Sequence, residues 1–258
     1  MLSRLIDRQR EARGRLEDEH TPEGVRSRLA VAPAPSYVKD FVYGAIDGAV
    51  TTFAIVAGAA GASLGSRIVL IMGLANLFAD GFSMAVSNFL GSRAEKEQRR
   101  LARLDEQRQI DLFPEGEKEE VRQIFAAKGF EGEDLERAVE VITAGRDRWV
   151  DVMMSDELGF ASRQASPGRS AASTFVAFLV VGSVPLLSFL VNLASPGLIS
   201  RPYVASAVLT GVAFGAVGVV KAAVIGQRWF RGGIETLALG GAAAIVAYLV
   251  GVALEGIG

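Results

Sequence analysis

Residues 37–61 read YVKDFVYGAIDGAVTTFAIVAGAAG, and residues 67–91 read RIVLIMGLANLFADGFSMAVSNFLG. Both stretches are predominantly apolar and long enough to cross a bilayer as a helix. Each carries a carboxylate well inside it, Asp47 in the first and Asp80 in the second. A carboxylate at such a depth costs about 2.5–3.5 kcal/mol, so it is usually paired, protonated or bound to an ion. Neither stretch has a lysine or arginine deep enough to neutralise it. The two stretches therefore predict membrane helices with a place for a mobile cation.

The remaining sequence is also divided into apolar and charged blocks. Of the 258 residues, 50% are hydrophobic, and the charged residues crowd into the first 40 positions and into a block from 92 to 169. We therefore predict an all-α membrane protein with five transmembrane helices. The five segments of membrane-spanning length are approximately 39–61, 67–91, 171–194, 203–226 and 233–254.

The charged block separates spans two and three and predicts a helical insert between them. The expected organisation is a cytoplasmic N-terminal tail at 1–36, helices one and two at 37–92, the insert at 93–169 and helices three to five at 170–258. Within the spans, GAIDG (44–48) and GVAFG (211–215) place glycines four apart, which favours close helix packing. Pro185 predicts a kink in the third span.

Lysine and arginine are distributed unevenly among the connections. They concentrate in the N-terminal tail, in the insert and in the 227–232 connection, whereas the other two loops have only Arg67 and Arg201. Cytoplasmic loops carry the excess of basic residues in membrane proteins. We therefore expect the N-terminus and the insert to be cytoplasmic and the C-terminus to lie outside. The charged tail has no apolar signal-peptide region, and we expect a prokaryotic plasma (inner) membrane.

Composition argues against several functions. The chain has no cysteine, so disulfides, thiolate metal ligands and thiol redox chemistry are absent. A net charge of −2 without an isolated basic surface argues against a nucleic-acid partner. The single histidine, His20, lies in the tail and no Glu-x-x-His pair exists, which argues against ferritin-like di-iron chemistry.

Span two carries a polar face opposite the carboxylate of span one. Asn76, Asp80 and Met84 are four residues apart and share one helical face, which Asn88 continues. In the predicted orientation, Asp47 and Met84 both lie roughly 10 Å deep at 1.5 Å per residue. Oxygen ligands with a thioether favour a softer transition metal such as Fe(II). The alternative is that the methionine fills space and the asparagine only bonds across helices.

The insert reads as a series of charged helices. SRAEKEQRRLARLDEQRQI (92–110) continues span two without a helix breaker, so that helix should project beyond the membrane. Pro114 begins a second helix that Gly129 ends. A third helix ends at Gly145, and a fourth carries an adjacent methionine pair.

Metal donors in the insert stand three or four residues apart, which places them on shared helical faces. These sets are Glu106 with Gln109, Glu117 with Glu120, and Met153 and Met154 with Glu157. If the sets converge, they form a cluster of carboxylates with thioether neighbours. The alternative is a solvated charged face. The methionine pair argues against that alternative, because two exposed methionines gain nothing in a polar helix.

Three segments carry a specific resemblance: YGAIDGAVTTFAIVAG in span one, FADGFSMAVSNFLGSRAEKE in span two and WVDVMMSDELG at the end of the insert. The chain resembles the vacuolar iron transporter family from about residue 36 to the C-terminus. The resemblance implies export of cytosolic Fe(II), in some members Mn(II), in exchange for protons. It also implies a five-span homodimer with the path at the dimer interface, and a cytoplasmic domain of Glu and Met residues that binds metal before translocation.

The resemblance also implies individual site residues. The membrane pair is Asp47 and Met84. Gln109 stands where plant members have a glutamate, and Asn76 stands where a membrane glutamate is expected. Asp80, one turn from Asn76, is the expected substitute. The implied ligands of the insert are Glu106, Glu117, Glu120, Met153, Met154 and Glu157.

The predicted function is therefore export of Fe(II) and Mn(II), with Asp80 passing protons inward. Such a protein needs no prosthetic group and is not an enzyme; its partners are divalent metal ions, protons, the bilayer and a second copy of itself. The main alternative is a membrane-anchored iron sensor or buffer in which the insert binds metal and the spans only dimerise. Another is a channel without proton coupling. Carboxylates buried in the spans favour transport over a simple anchor.

Overall fold

The computed structural model describes residues 13–14, 16–30, 36–160 and 165–255. The chain divides into two compact units, Met1–Ser36 and Tyr37–Gly258. In the first unit, α1 (Pro22–Ala30) has no buried residue. Thr21 caps this helix, because its Oγ1 accepts a hydrogen bond of 3.1 Å from the backbone N–H of Gly24.

The second unit consists of helices and their connections, with no strand among its described residues. The helices are α2 (Val38–Gly61), α3 (Ser66–Leu112), α4 (Pro114–Ala127), α5 (Gly132–Thr143), α6 (Arg146–Val152), α7 (Pro167–Gly182), α8 (Leu187–Ala194), α9 (Pro202–Val224) and α10 (Trp229–Leu254). A π-helical turn, Met153–Glu157, extends α6. A 3₁₀ turn, Val184–Leu186, joins α7 to α8.

Among the described residues, five helical segments are long and apolar enough to cross a membrane. They are Val38–Gly61, Ser66–Leu112, Pro167–Ala194, Pro202–Val224 and Trp229–Leu254. The prediction of an all-α membrane protein with five spans is confirmed. The third span is interrupted at Val184–Leu186, as Pro185 predicts, because proline has no N–H for the helical hydrogen bond.

Helix α2 lies at the centre of the membrane bundle and packs against α3, α7, α9 and α10. Its glycines permit close contact with α7. A Cβ atom on Gly48 would lie 2.6 Å from the backbone oxygen of Phe178, and one on Gly44 would overlap that of Thr174. The GAIDG motif therefore brings two helix backbones together, as predicted.

Close packing between α9 and α10 uses a different glycine from the one the sequence predicts. A Cβ atom on Gly215 would meet no atom within 4 Å, and one on Gly211 would meet only Leu237 Cδ2 of α10 at 3.9 Å, so GVAFG does not bring two backbones together. The backbones instead meet where Gly218 faces Gly232, because a Cβ atom on either glycine would overlap the other's backbone oxygen. A motif of spaced glycines thus indicates close packing without fixing which turn makes it.

Helix α3 has 47 residues, or about 70 Å at 1.5 Å per residue, against a hydrocarbon thickness of about 30 Å. Its first half is apolar and its second half is charged. The prediction that span two continues unbroken into the insert is confirmed. This helix is the rigid link between the predicted membrane site and the predicted site of the insert.

Helices α4 to α6 fold against the charged end of α3 and enclose a small apolar core. Met153 and Met154 belong to it, with exposed fractions of 0% and 2%. Their burial agrees with the argument that two exposed methionines would gain nothing in a polar helix, because the π-helical turn directs both into the core. The other buried members of this core are Ile110, Val121, Val139, Trp149 and Val150.

Candidate functional site

Two glutamates from different helices are buried at the edge of the insert core. Glu106 lies one turn before the core residue Ile110 on α3, and Glu117 lies one turn before Val121 on α4. Their exposed fractions are only 3% and 4%. Together with the methionine pair they form what we call the insert cluster: Glu106, Glu117, Met153 and Met154.

Each buried carboxylate of the insert cluster has one oxygen without a hydrogen-bond partner. One oxygen of each, Oε2 of Glu106 and Oε2 of Glu117, is buried without a donor. A buried polar atom left unpaired costs about 1–3 kcal/mol, and more when it is charged. Protonation or a bound cation would remove that cost.

Further carboxylates surround the insert cluster and repel it. Burial raises the pKa of Glu106 to about 7, and the charges of Glu157, Glu117, Glu120 and Asp105 add to this effect. Burial also raises the pKa of Glu117 to about 7, with Glu120 as the main repelling charge. The pKa of Glu157 is raised by burial and by Glu120. These glutamates thus lie close enough to interact, although they come from three separate parts of the insert.

The carboxylates gather without forming a complete coordination shell. Among the described residues, no three His, Cys, Asp or Glu side chains are placed to hold one metal ion. Two buried glutamates, two methionines of the adjoining core and exposed glutamates at the rim could together supply mixed oxygen and sulfur donors. A divalent cation would have to draw the rim carboxylates inward.

The π-helical turn orients the end of the insert cluster. The backbone N–H of Leu158 donates to the carbonyl of Met153 at 3.1 Å, a bond that spans five residues. Such turns are rare and often occur at functional sites. This turn buries two adjacent methionines while Glu157 stays exposed at the rim.

Two further positions qualify the predicted ligand set. Gln109 is exposed on α3, one turn beyond the buried Glu106. Asp105, which the spacing of donors does not single out, contributes repulsion to both buried glutamates. The sequence places Asp105 directly before Glu106, which could have indicated that its charge acts on the same site.

In the membrane-spanning helices, the two predicted carboxylates lie close enough for the charge of one to act on the other. Asp47 on α2 and Asp80 on α3 are both partly buried, and Asp80 acts electrostatically on Asp47. Asp47 lines a cavity of about 440 Å³, whose lining also includes Lys39 and Lys221. Lys221 comes from α9, so inspection of spans one and two alone misses it.

Met84 lines a second cavity, of about 490 Å³, and Lys39 and Tyr43 line both cavities. The lining of this second cavity does not include Asp47. Within one chain, the predicted membrane pair therefore borders two adjoining spaces.

Asn88 has a structural role at the end of the polar face. Its Nδ2 donates to Asp40 Oδ1 at 3.0 Å and to Thr174 Oγ1 at 2.7 Å, and its Oδ1 accepts from Ser92 Oγ at 3.1 Å. These bonds tie α2, α3 and α7 together. Deeper in the bundle, Nδ2 of Asn76 is buried without a partner.

Comparison with known proteins identifies the family. Residues 38–252 match the sequence profile of the VIT family. The vacuolar iron transporter of Toxoplasma gondii is 31% identical over 256 residues, covering 97% of this chain and 82% of that relative. Vacuolar iron transporter 1 of Arabidopsis thaliana is 31% identical over 83% of this chain and 85% of its own length. Vacuolar iron transporter 2 of Oryza sativa subsp. japonica is 29% identical over 94% of each chain. The chain therefore belongs to the VIT family, the vacuolar iron transporter family that its motifs resemble.

Proposed function

We propose that the protein carries Fe(II) across a membrane, and that the insert captures the metal before it enters the spans. The observation that carries this proposal is the pair of buried, unpartnered carboxylate oxygens on Glu106 and Glu117, on helices that share an apolar core with Met153 and Met154. This donor set suits a divalent cation of intermediate softness. The relatives named as vacuolar iron transporters support iron as that cation.

The ligand set of the insert comprises the insert cluster and the rim carboxylates Glu120 and Glu157. The rim groups raise the local concentration of cations at the entrance, and the buried groups complete the shell. Mn(II) has similar ligand preferences and is a second substrate in this proposal.

The proposed path continues along α3, which carries Glu106 in the insert and Asp80 and Met84 in the span. Asp47 and Met84 of two protomers replace part of the hydration shell of the ion at the interface of a homodimer. Asp80 passes protons in the opposite direction. Because protons and metal compete for the same carboxylates, the two fluxes are coupled.

The basic connections support an orientation with the N-terminus and the insert in the cytoplasm and the C-terminus outside. Metal captured by the insert would then be exported from the cytosol. The prokaryotic plasma membrane stays a prediction, and the relatives named above come from eukaryotes.

Transport into proteoliposomes tests this function. The wild-type protein should accumulate Fe(II) and Mn(II), faster with a proton gradient of the favourable sign. Asp47→Ala should abolish the flux while the insert still binds metal, and Asp80→Asn should flatten its dependence on the gradient. Asp134→Ala, an exposed acid of the insert, is the control and should transport normally.

Three outcomes would contradict parts of the proposal. Metal binding without flux at any concentration would identify a membrane-anchored sensor or buffer. Flux that ignores the proton gradient would indicate a channel. Full flux in Asp47→Ala would place the path elsewhere.

A further inference from the structure

Lys221 shares a cavity lining with one carboxylate and forms an ion pair with another. Its side chain lines the 440 Å³ cavity that Asp47 also lines. Its ammonium nitrogen donates to Oε2 of Glu235 on α10 at 2.9 Å. Glu235 is not among the described residues that line the cavity. The lysine thus borders the space beside Asp47 while its charge is held by a carboxylate outside that space.

The geometry of α9 and α10 fixes this arrangement. Lys221 lies one turn after Gly218, and Glu235 lies one turn after Gly232, where the two helix backbones are in contact. The close contact keeps Glu235 beside the lysine. In the single chain, the side chains of Lys221 and Glu235 keep 25% and 54% of their accessible surface.

A free ammonium beside Asp47 would compete with the cargo. A lysine tethered to the wall of the cavity acts at a high effective concentration, which a dissolved cation must overcome. Attraction between unit charges is also stronger in a partly buried site than in water. Whatever holds Lys221 away from Asp47 therefore sets how readily that carboxylate accepts a metal ion.

We infer that Glu235 is a positioning residue that holds Lys221 off Asp47 and so keeps Asp47 open to a divalent cation. This inference rests on the proposed role of Asp47 in transport. Glu235 does not touch the ion; it acts through the lysine. Its loss should therefore weaken the affinity of the path for metal and leave the maximal rate nearly unchanged.

The test compares Glu235→Gln, Lys221→Gln and the double variant in proteoliposomes supplied with Fe(II). Glu235→Gln should raise the KM by about threefold or more, consistent with the modest strength of a half-exposed ion pair. The double variant should return the KM to the wild-type value or below, because the ammonium released from Glu235 is gone, while Lys39 on the same cavity is unchanged in every variant. Glu97→Gln is the matched control, since it breaks the exposed Glu97–Arg100 ion pair on α3 and should leave the KM unchanged.

Two results would overturn the inference: an unchanged KM in Glu235→Gln, or a raised KM that removal of Lys221 does not rescue. The second result would make the ion pair a structural tie, and it should then appear as an equal loss of melting temperature in both single variants. The same three variants can also be compared by equilibrium Mn(II) binding, without measuring flux. The full-length protein then carries glutamine at Glu106, Glu117, Glu120 and Glu157, so that the proposed ligands of the insert do not bind the metal. Failure of the proposed function itself would appear separately, as absent transport by the wild-type protein.

Discussion

Glu117 keeps one carboxylate oxygen buried without a donor, and burial with repulsion from Glu120 raises its pKa from 4.5 to about 7. Between these pH values the folded protein therefore binds more protons at Glu117 than the unfolded chain does. The contribution of Glu117 to the free energy of unfolding is fully present below about pH 4.5 and is lost as the pH rises toward 7. A pKa difference of this size corresponds to roughly 3 kcal/mol at pH 8. Glu117→Gln should then raise the melting temperature of the metal-free protein at pH 8 and change it little at pH 4.5.

Thermal unfolding followed by circular dichroism at the two pH values measures this effect. Glu133→Gln changes an exposed glutamate of the same insert and is the control. A lower melting temperature of Glu117→Gln at pH 8 without metal would show that the carboxylate is stabilised by a contact other than a cation.

Metal binding by the insert should depend on pH near neutrality. Glu106 and Glu117 each have a pKa raised to about 7, and a carboxyl must lose its proton to coordinate. The sequence alone predicts that this pH dependence lies near 4, the ordinary pKa of a carboxyl group. Below pH 7 the affinity should fall by about tenfold per pH unit for each proton displaced.

Calorimetric titration of the full-length protein with Zn(II), a redox-stable substitute for Fe(II), measures this dependence. Repeating the titration in two buffers of different ionisation enthalpy gives the number of protons released. A constant affinity from pH 5 to pH 8 would exclude both buried glutamates as ligands.

The sequence predicts which residues could be ligands better than it predicts their surroundings. Regular spacing singles out Glu106, Glu117 and the methionine pair. It does not show that these side chains are buried, because burial depends on how α4 to α6 fold against α3. From the sequence, Lys221 is a lysine near the end of span four that can extend to the membrane surface and needs no functional role. Only the packing of α9 against α2 places it on the cavity of Asp47.

At the level of helices, the contact between α2 and α7 depends on the absence of a side chain at Gly44. A Cβ atom there would overlap the backbone oxygen of Thr174. Gly44→Ala should therefore lower the melting temperature, by a cost of about 1–3 kcal/mol that is typical of overpacking. Gly215→Ala is the matched control because its Cβ atom meets nothing within 4 Å, and it should be neutral or slightly stabilising. Equal destabilisation by both substitutions in detergent would contradict the assigned contact.

Helix boundaries follow local chemistry, and the sequence predicts most of them. Pro114 begins α4, Pro185 interrupts the third span, and the uninterrupted 92–110 segment extends α3. The π-helical turn at Met153–Glu157 has no comparable local signal. It forms where the end of the insert must direct two adjacent methionines into one core, which is a tertiary requirement.

In the whole molecule, one continuous helix connects two candidate metal sites with different tasks. In the proposed path, the insert presents several carboxylates where cations would enter, and the spans present Asp47, Asp80 and Met84 farther along. A capture site raises the occupancy of the path only while metal is scarce, because at high concentration the path fills from solution directly. Substitutions at the two sites should therefore affect different kinetic parameters of transport.

Replacing Glu106, Glu117, Glu120 and Glu157 together by glutamine should raise the KM for Fe(II) and leave most of the maximal rate, because the membrane carboxylates remain. Asp47→Ala should show the opposite pattern, with metal bound by the insert and no flux. Uptake by proteoliposomes across a range of Fe(II) concentrations measures both variants, with Glu133→Gln as the control for loss of an acidic side chain. If the fourfold variant loses all flux even at saturating metal, the insert is part of the path itself, and metal must then pass from ligand to ligand along α3 rather than enter the spans independently.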